Sequence, residues 1–163
     1  MKSKVYLETS FVSYLAGRLS QDITMLQRQL SSRRWWEQRR GDFELFVCQT
    51  VYEECLKGDQ EAIKDRLAIL KQATLLPLTE EVLGIAKRLI NPGPFPRKAA
   101  ADSIHIAAAT AYGCDYLLTW NFKHINNAQI KREAARIIEQ YGYQATTICT
   151  PDELMGPDDQ VEG

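Results

Sequence analysis

The sequence predicts an α/β fold built on a mostly parallel sheet with helices on both faces. The first observation behind this is the alternation of short β-rich runs with longer helical stretches along the chain. The second is that strand-like runs pass straight into helix-capping residues, so that a strand ends where a helix starts, as at Glu8-Thr9-Ser10. The third is length: 163 residues suit one domain with one core, and no linker is long enough to separate a pair of domains. The expected domain spans residues 1–155, and residues 156–163 form a flexible tail with too little apolar content to stay ordered alone.

Val5-Tyr6-Leu7 is apolar and rich in strand formers, and the Thr9 and Ser10 hydroxyls suit the cap of a helix starting near Phe11. Backbone N–H groups at that helix start, with the two hydroxyls, could hold an anionic oxygen. From Leu19, apolar residues recur at Ile23, Leu26 and Leu30 and continue toward Trp35 and Trp36, the spacing of a long amphipathic helix. Its far end carries Arg33, Arg34, Arg39 and Arg40. That basic and aromatic patch fits a helix C-terminus packed on a core, and it also fits contact with RNA or a protein.

Residues 43–47 alternate as a second strand, and Thr50-Val51-Tyr52-Glu53 matches a capping box. The box gives Glu53 a structural task and leaves Glu54 free to face a crevice. Gly58 breaks this helix, and Ile63, Leu67 and Leu70 set the buried face of the next. Leu75-Leu76 reads as a third strand, and Thr79 caps a helix whose Glu80 and Glu81 suit its positive end. Pro92, Gly93, Pro94 and Pro96 make a rigid loop before Arg97 and Lys98, cations whose place ahead of a helix hints at an anionic ligand.

On the alanine-rich helix that follows, Ile104, Ala107, Ala108 and Ala111 form the expected buried stripe, with Asp102 at its border and His105 on a neighbouring face. Gly113 turns the chain into a fourth strand, residues 116–119, which empties into Asn121. Ile130, Ala134, Ile137 and Tyr141 mark another amphipathic helix, and residues 146–149 a last strand. Thr150-Pro151-Asp152-Glu153 then reads as a helix start, with Thr as cap, Pro first and Glu closing the box.

Composition bounds the function. The chain is 45% hydrophobic and 25% charged, and no apolar run approaches the roughly 20 residues needed to span a bilayer. Glu8 interrupts the first apolar run at once, unlike the core of a signal peptide, so a cytoplasmic protein with no membrane role is expected. Cys48, Cys55, Cys114 and Cys149 are scattered without a zinc or redox motif and read as buried thiols. A net charge of −1 and a pI near 6.1 leave any nucleic-acid binding to a local patch.

In a parallel sheet, ligands bind in the crevice beyond the carboxyl ends of the strands. Glu8 leaves the first strand there and Asn121 the fourth, while Glu54 and Asp102 sit on helices that flank the same edge. Carboxylates gathered in one crevice repel each other unless a hard cation neutralises them. Oxygen donors without a thiolate or histidine cluster point to Mg²⁺ or Mn²⁺, and to hydrolysis of a phosphodiester.

Taken together, Tyr6-Leu7-Glu8-Thr9-Ser10, Glu54 with Gly58 four residues on, Ala101-Asp102 leading into Ile104-His105-Ile106-Ala107, and Leu118-Thr119-Trp120-Asn121 resemble the ordered acidic motifs of PIN-domain ribonucleases. Among these, the chain is most similar to the VapC toxins of type II toxin–antitoxin systems, from Val5 to about Leu154. The resemblance implies an α/β/α sandwich, Mg²⁺- or Mn²⁺-dependent endoribonuclease activity on RNA, a homodimer, and inhibition by a cognate antitoxin.

By position Glu8, Glu54, Asp102 and Asn121 take the four acidic places. The first three would bind the metal, and Asn121 would help place the metal or its water. Thr9, Ser10 and Thr119 would contact ligands or phosphate. Two places depart from the usual pattern: Glu8 is one methylene longer than Asp, and Asn121 lacks a charge that Asp115, lying before the strand, is poorly placed to replace. These departures support an alternative, a catalytically impaired PIN-fold protein that binds RNA or a protein, and the same chemistry would also cut DNA. His105 and His124 are expected to be packed or surface residues, since metal-assisted hydrolysis needs no histidine base.

Overall fold

In the computed structural model, which describes residues 1–156, five parallel strands form one sheet in the order β3-β2-β1-β4-β5. Strand β1 (Ser3–Leu7) lies at the centre, between β2 (Phe43–Cys48) and β4 (Tyr116–Leu118), with β3 (Thr74–Leu76) and β5 (Thr147–Cys149) at the two edges. Helices α1 (Thr9–Ala16) and α2 (Ile23–Arg39) carry the chain from β1 to β2, and α3 (Gln49–Cys55) and α4 (Gln60–Leu70) from β2 to β3. Helices α5 (Glu80–Ile90) and α6 (Ala100–Ala111) return it to β4, and α7 (Ala128–Gln140) leads to β5.

Parallel crossovers are right-handed, so the outward path through β2 and β3 puts its helices on one face and the later path through β4 and β5 puts its helices on the other. The packing follows this rule: α1 rests on α2, α3 and α4, whereas α5 rests on α6 and α7. The result is the α/β/α sandwich. The strand order reverses between β1 and β4, and that switch point is where an open parallel sheet offers a crevice. Val5, Tyr6 and Leu7 are fully buried, as the central strand requires.

Local sequence signals agree with the structure where the helix ends are unambiguous. Thr79 accepts from the Val82 N–H as the cap of α5, and Thr150 and Glu153 form their reciprocal box around a short 3-10 turn at Asp152–Leu154. The expected box at Thr50 does not form. Helix α3 starts one residue after β2 ends, with Cys48 as a cap that makes no side-chain hydrogen bond, and Thr50 is buried inside the first turn.

Helix α2 differs more. It begins at Ile23, capped by Asp22, and Leu19 lies outside it. The residues predicted to face inward, Ile23 and Leu30, are exposed, and Gln29, Ser32, Trp35 and Trp36 are buried instead. Satisfied polar groups explain the rotation. Gln29 accepts from the Ser20 N–H and donates to the Arg18 carbonyl, while Ser32 donates to the Arg28 carbonyl and accepts from the Trp120 indole. Trp35 packs edge-on to Phe11 and stacks on Phe43, so the tryptophan pair is core.

Helix α6 is buried almost all round, from His105 to Thr110, while Ile104 and Ala111 of the expected stripe are only half-buried. The tail expected from residue 156 onward lies outside the described residues except for Gly156, which is buried. No described helix is long and apolar enough to cross a membrane.

Candidate active site

At the switch point the sheet's hydrogen bonding runs one residue past the strands. The Glu8 N–H donates to the Leu118 carbonyl at 3.1 Å and the Thr119 N–H to the Cys149 carbonyl at 3.0 Å, so Glu8 and Thr119 are held side by side. Glu8, rather than Thr9 or Ser10, caps α1. Its Oε2 accepts from the Ser10 N–H at 2.9 Å, from Thr119 Oγ1 at 2.9 Å and, through a very short contact, from Ser10 Oγ. The side chain is only 4% exposed. Burial raises its pKa above the ordinary value, against the opposing pull of His105 and of these hydrogen bonds.

Glu54 stands on α3 with Oε1 accepting from Thr9 Oγ1 at 2.8 Å and from His105 Nε2 at 2.7 Å. A carboxylate only accepts, so that ring nitrogen carries hydrogen. The other ring nitrogen lies 2.8 Å from the Tyr6 hydroxyl, which in turn donates to Cys48 Sγ at 3.0 Å. Strands β1 and β2 and helices α3 and α6 are thus tied together by one buried chain of hydrogen bonds ending on Glu54. Burial opposes charge on His105, yet the Cys48 sulfur, the Glu54 hydrogen bond and the Glu8 and Glu54 charges lift its pKa to about 10. Burial likewise works against ionised Glu54, but His105 and Thr9 outweigh it and its pKa falls below the ordinary value.

Asp102 sits in the first turn of α6, half-buried. Burial raises its pKa, His105 and His124 pull it back, and the charge of Glu54 adds to the rise. Asn121 Nδ2 donates to Asp102 Oδ1 at 3.3 Å, and Asn121 Oδ1 accepts from the His124 N–H at 3.0 Å. Thr119 Oγ1 and Ser10 Oγ accept from the Asn121 and Trp120 N–H groups, at 2.9 and 2.8 Å. The hydroxyls expected to support the site or meet phosphate brace carboxylates and the turn after β4.

Each of the three acids uses one oxygen for these bonds, and the second accepts nothing among the described residues. A set of oxygen donors fits Mg²⁺ or Mn²⁺ by chemistry. Among the described residues, however, no three His, Cys, Asp or Glu side chains are clustered tightly enough to grip an ion as they stand. Shape does not mark the site either: a hollow of about 250 Å³ lined by Cys114, Asp115, Tyr116, Gln144 and Thr147 lies at the opposite ends of the strands.

No family model and no curated protein sequence matches the chain. Solved structures do. VapC20 of Mycobacterium tuberculosis, a sarcin–ricin loop cleaving toxin, superposes with a TM-score of 0.57 at 13% identity, over 86% of this chain and 96% of that one. This is the PIN fold of the VapC toxins. VapBC2 of Rickettsia felis, bound to promoter DNA, matches at a TM-score of 0.54 and 15% identity, over 79% of this chain and 92% of that one. VapBC-1 of nontypeable Haemophilus influenzae matches at 0.54 and 13%, over 91% and 98%.

Within this PIN fold, the structure places Glu8, Thr9, Ser10, Thr119 and Asn121 at the switch point, with Glu54 and Asp102 on flanking helices. Tyr6 and Cys48 are neighbours of the site that sequence reasoning missed, and so is the contact His105 makes with Glu54. His105 is packed, as expected, but it grips Glu54. A signal was present: a histidine inside a run of alanine and isoleucine is costly to bury without partners, and one turn before it stands Asp102.

Proposed function

We propose that this PIN-fold chain is a Mg²⁺- or Mn²⁺-dependent endoribonuclease, the toxin of a toxin–antitoxin pair, homodimeric and restrained by a cognate antitoxin. The observation that carries the proposal is the arrangement of Glu8, Glu54 and Asp102 around one end of the sheet, each with one oxygen braced and one without a hydrogen-bond partner among the described residues. That VapC20, which shares the fold, cleaves the sarcin–ricin loop supports an RNA backbone as substrate, and the VapBC assemblies support a protein partner.

Glu8, Glu54 and Asp102 would hold the cation. When bound, such an ion lowers the pKa of water and offsets charge on the scissile phosphate. The remaining residues keep the acids in place. Ser10 and Thr119 fix Glu8, Thr9 and His105 fix Glu54, and Asn121 fixes Asp102.

Purified protein with Mn²⁺ should cut single-stranded RNA, and Asp102→Asn should abolish cleavage while leaving the fold intact. Equal cleavage by the variant would trace the activity to a contaminating nuclease and sink the assignment. Mn²⁺ binding without cleavage would favour a binding protein, and cleavage of single-stranded DNA alone would make the chain a DNA nuclease.

A further inference from the structure

Resting on the nuclease reading, we infer that Phe122 and Arg28 form a subsite for single-stranded RNA beside the acids, with a nucleobase stacked on Phe122 and a phosphate held by Arg28. Trp35 and Trp36 are buried, so the aromatic patch expected at the end of α2 is core. Arginine and open aromatic surface meet instead at the turn after β4. The Arg28 guanidinium lies 5.2 Å from the ring centre of Phe122, 5.7 Å from that of Tyr14 and 5.8 Å from that of Trp120.

This cluster adjoins the acidic end of the sheet. Trp120 and Phe122 flank Asn121, whose amide donates to Asp102. The Trp120 backbone N–H donates to Ser10, which also bonds Glu8, and its indole N–H donates to Ser32 on α2 at 2.8 Å. Trp120 is therefore held at both ends and forms a fixed wall. Phe122 differs from it in being 45% exposed, an aromatic ring open to solvent next to the site.

The charge of Arg28 is unspent. Its one hydrogen bond among the described residues goes to the Tyr14 hydroxyl at 3.2 Å, and no described carboxylate pairs with it. A guanidinium has five N–H donors and stays charged, so several donors remain for a ligand. Carboxylates gathered at the sheet end repel an RNA backbone, and an unneutralised cation beside them offsets that repulsion. An aromatic ring stacks on any unpaired base, and an adjacent arginine takes the phosphate; together they bind a single strand without reading its sequence.

Affinity is read by fluorescence anisotropy of a labelled oligouridine on the full chain in EDTA, where metal-dependent cleavage is off. Phe122→Ala should weaken it about 5- to 150-fold, the loss expected for one stacked base. Phe122→Leu, which stays apolar but has no flat ring, should also weaken it, and Phe122→Trp should keep it. Arg28→Gln should weaken binding and reduce the slope of log affinity against log salt by about 0.7, the share of one phosphate. Urea unfolding curves show that the variants are folded.

Unchanged affinity in Phe122→Ala would overturn the inference and leave these rings to a protein partner, while cleavage of RNA by wild type with Mn²⁺ would still uphold the nuclease reading. Equal weakening by Phe122→Trp, or no affinity of wild type for the probe, would overturn it as well. RNA affinity that depends on Phe122 in a chain that never cuts RNA would sink the nuclease reading and keep the subsite.

Discussion

Tyr6→Phe isolates the contribution of one buried oxygen. The ring stays and with it the apolar packing at the centre of the sheet, but the hydroxyl that links His105 Nδ1 at 2.8 Å to Cys48 Sγ at 3.0 Å is lost. Each ordinary hydrogen bond contributes about 0.5–1.5 kcal/mol, while a buried group left without a partner costs about 1–3 kcal/mol. The second effect is softened, because the Cys48 sulfur also lies within reach of the buried His105 ring and can accept from it once the hydroxyl is gone. The expected loss is about 1–3 kcal/mol for the two bonds removed, read as the difference in free energy from urea unfolding of metal-free protein at pH 7 with the slope unchanged. A loss below about 0.5 kcal/mol, within the range of a neutral substitution, would refute the buried chain of hydrogen bonds from Cys48 to Glu54.

Ser10→Ala removes a donor to buried Glu8 and the acceptor of the Trp120 N–H, and should cost about 1–3 kcal/mol in the same unfolding assay; wild-type stability would contradict it. The Glu54–His105 pair should give stability without metal two limbs in pH. His105, lifted to about 10 from an ordinary value of 6.5, contributes fully below 6.5 and loses that contribution as pH rises through about 10. Glu54, shifted downward from 4.5, contributes above 4.5 and loses it as pH falls below, so urea midpoints that climb steadily from pH 7 to 10 would count against the ion pair. Two glycines should respond in opposite directions. At Gly93 a Cβ would stand 2.2 Å from the Leu89 carbonyl oxygen, and Ala there should cost about 1–3 kcal/mol of crowding. At Gly84, inside α5, a Cβ meets nothing within 4 Å, and Ala should raise stability by about 0.4–1 kcal/mol.

The parallel sheet and the edge holding the acids were legible because they depend on period and order. Strands at residues 43–47 and 116–119 and the exit at Asn121 need only local apolar runs and their ends. Glu54 was legible by elimination, although the argument rested on a capping box that Thr50 does not form; its direction comes from Thr9 and His105, which lie far off in the chain. The face of α2 was not legible because Gln29 and Ser32 find buried partners in Arg18, Ser20 and Trp120, and apolar spacing says nothing about those. The grip of His105 on Glu54 was hidden for the same reason. Its cost of burial is offset by Tyr6 and Cys48, whose proximity emerges only once β1 and β2 pair.

Strand β2 runs into α3 with no connecting loop, Cys48 serving both. The phase of that helix is therefore set by the register of the strand, and Glu54 has no slack. One residue inserted between Cys48 and Glu54 would turn the carboxylate by about 100° and shift it about 1.5 Å along the axis, off Thr9 and His105 together. Chain-length variation should be tolerated where no acid is geared to a strand, as in the exposed stretch at residues 56–59 between α3 and α4. A library of single insertions and deletions scored for RNA cleavage should recover active chains there and none between Cys48 and Glu54.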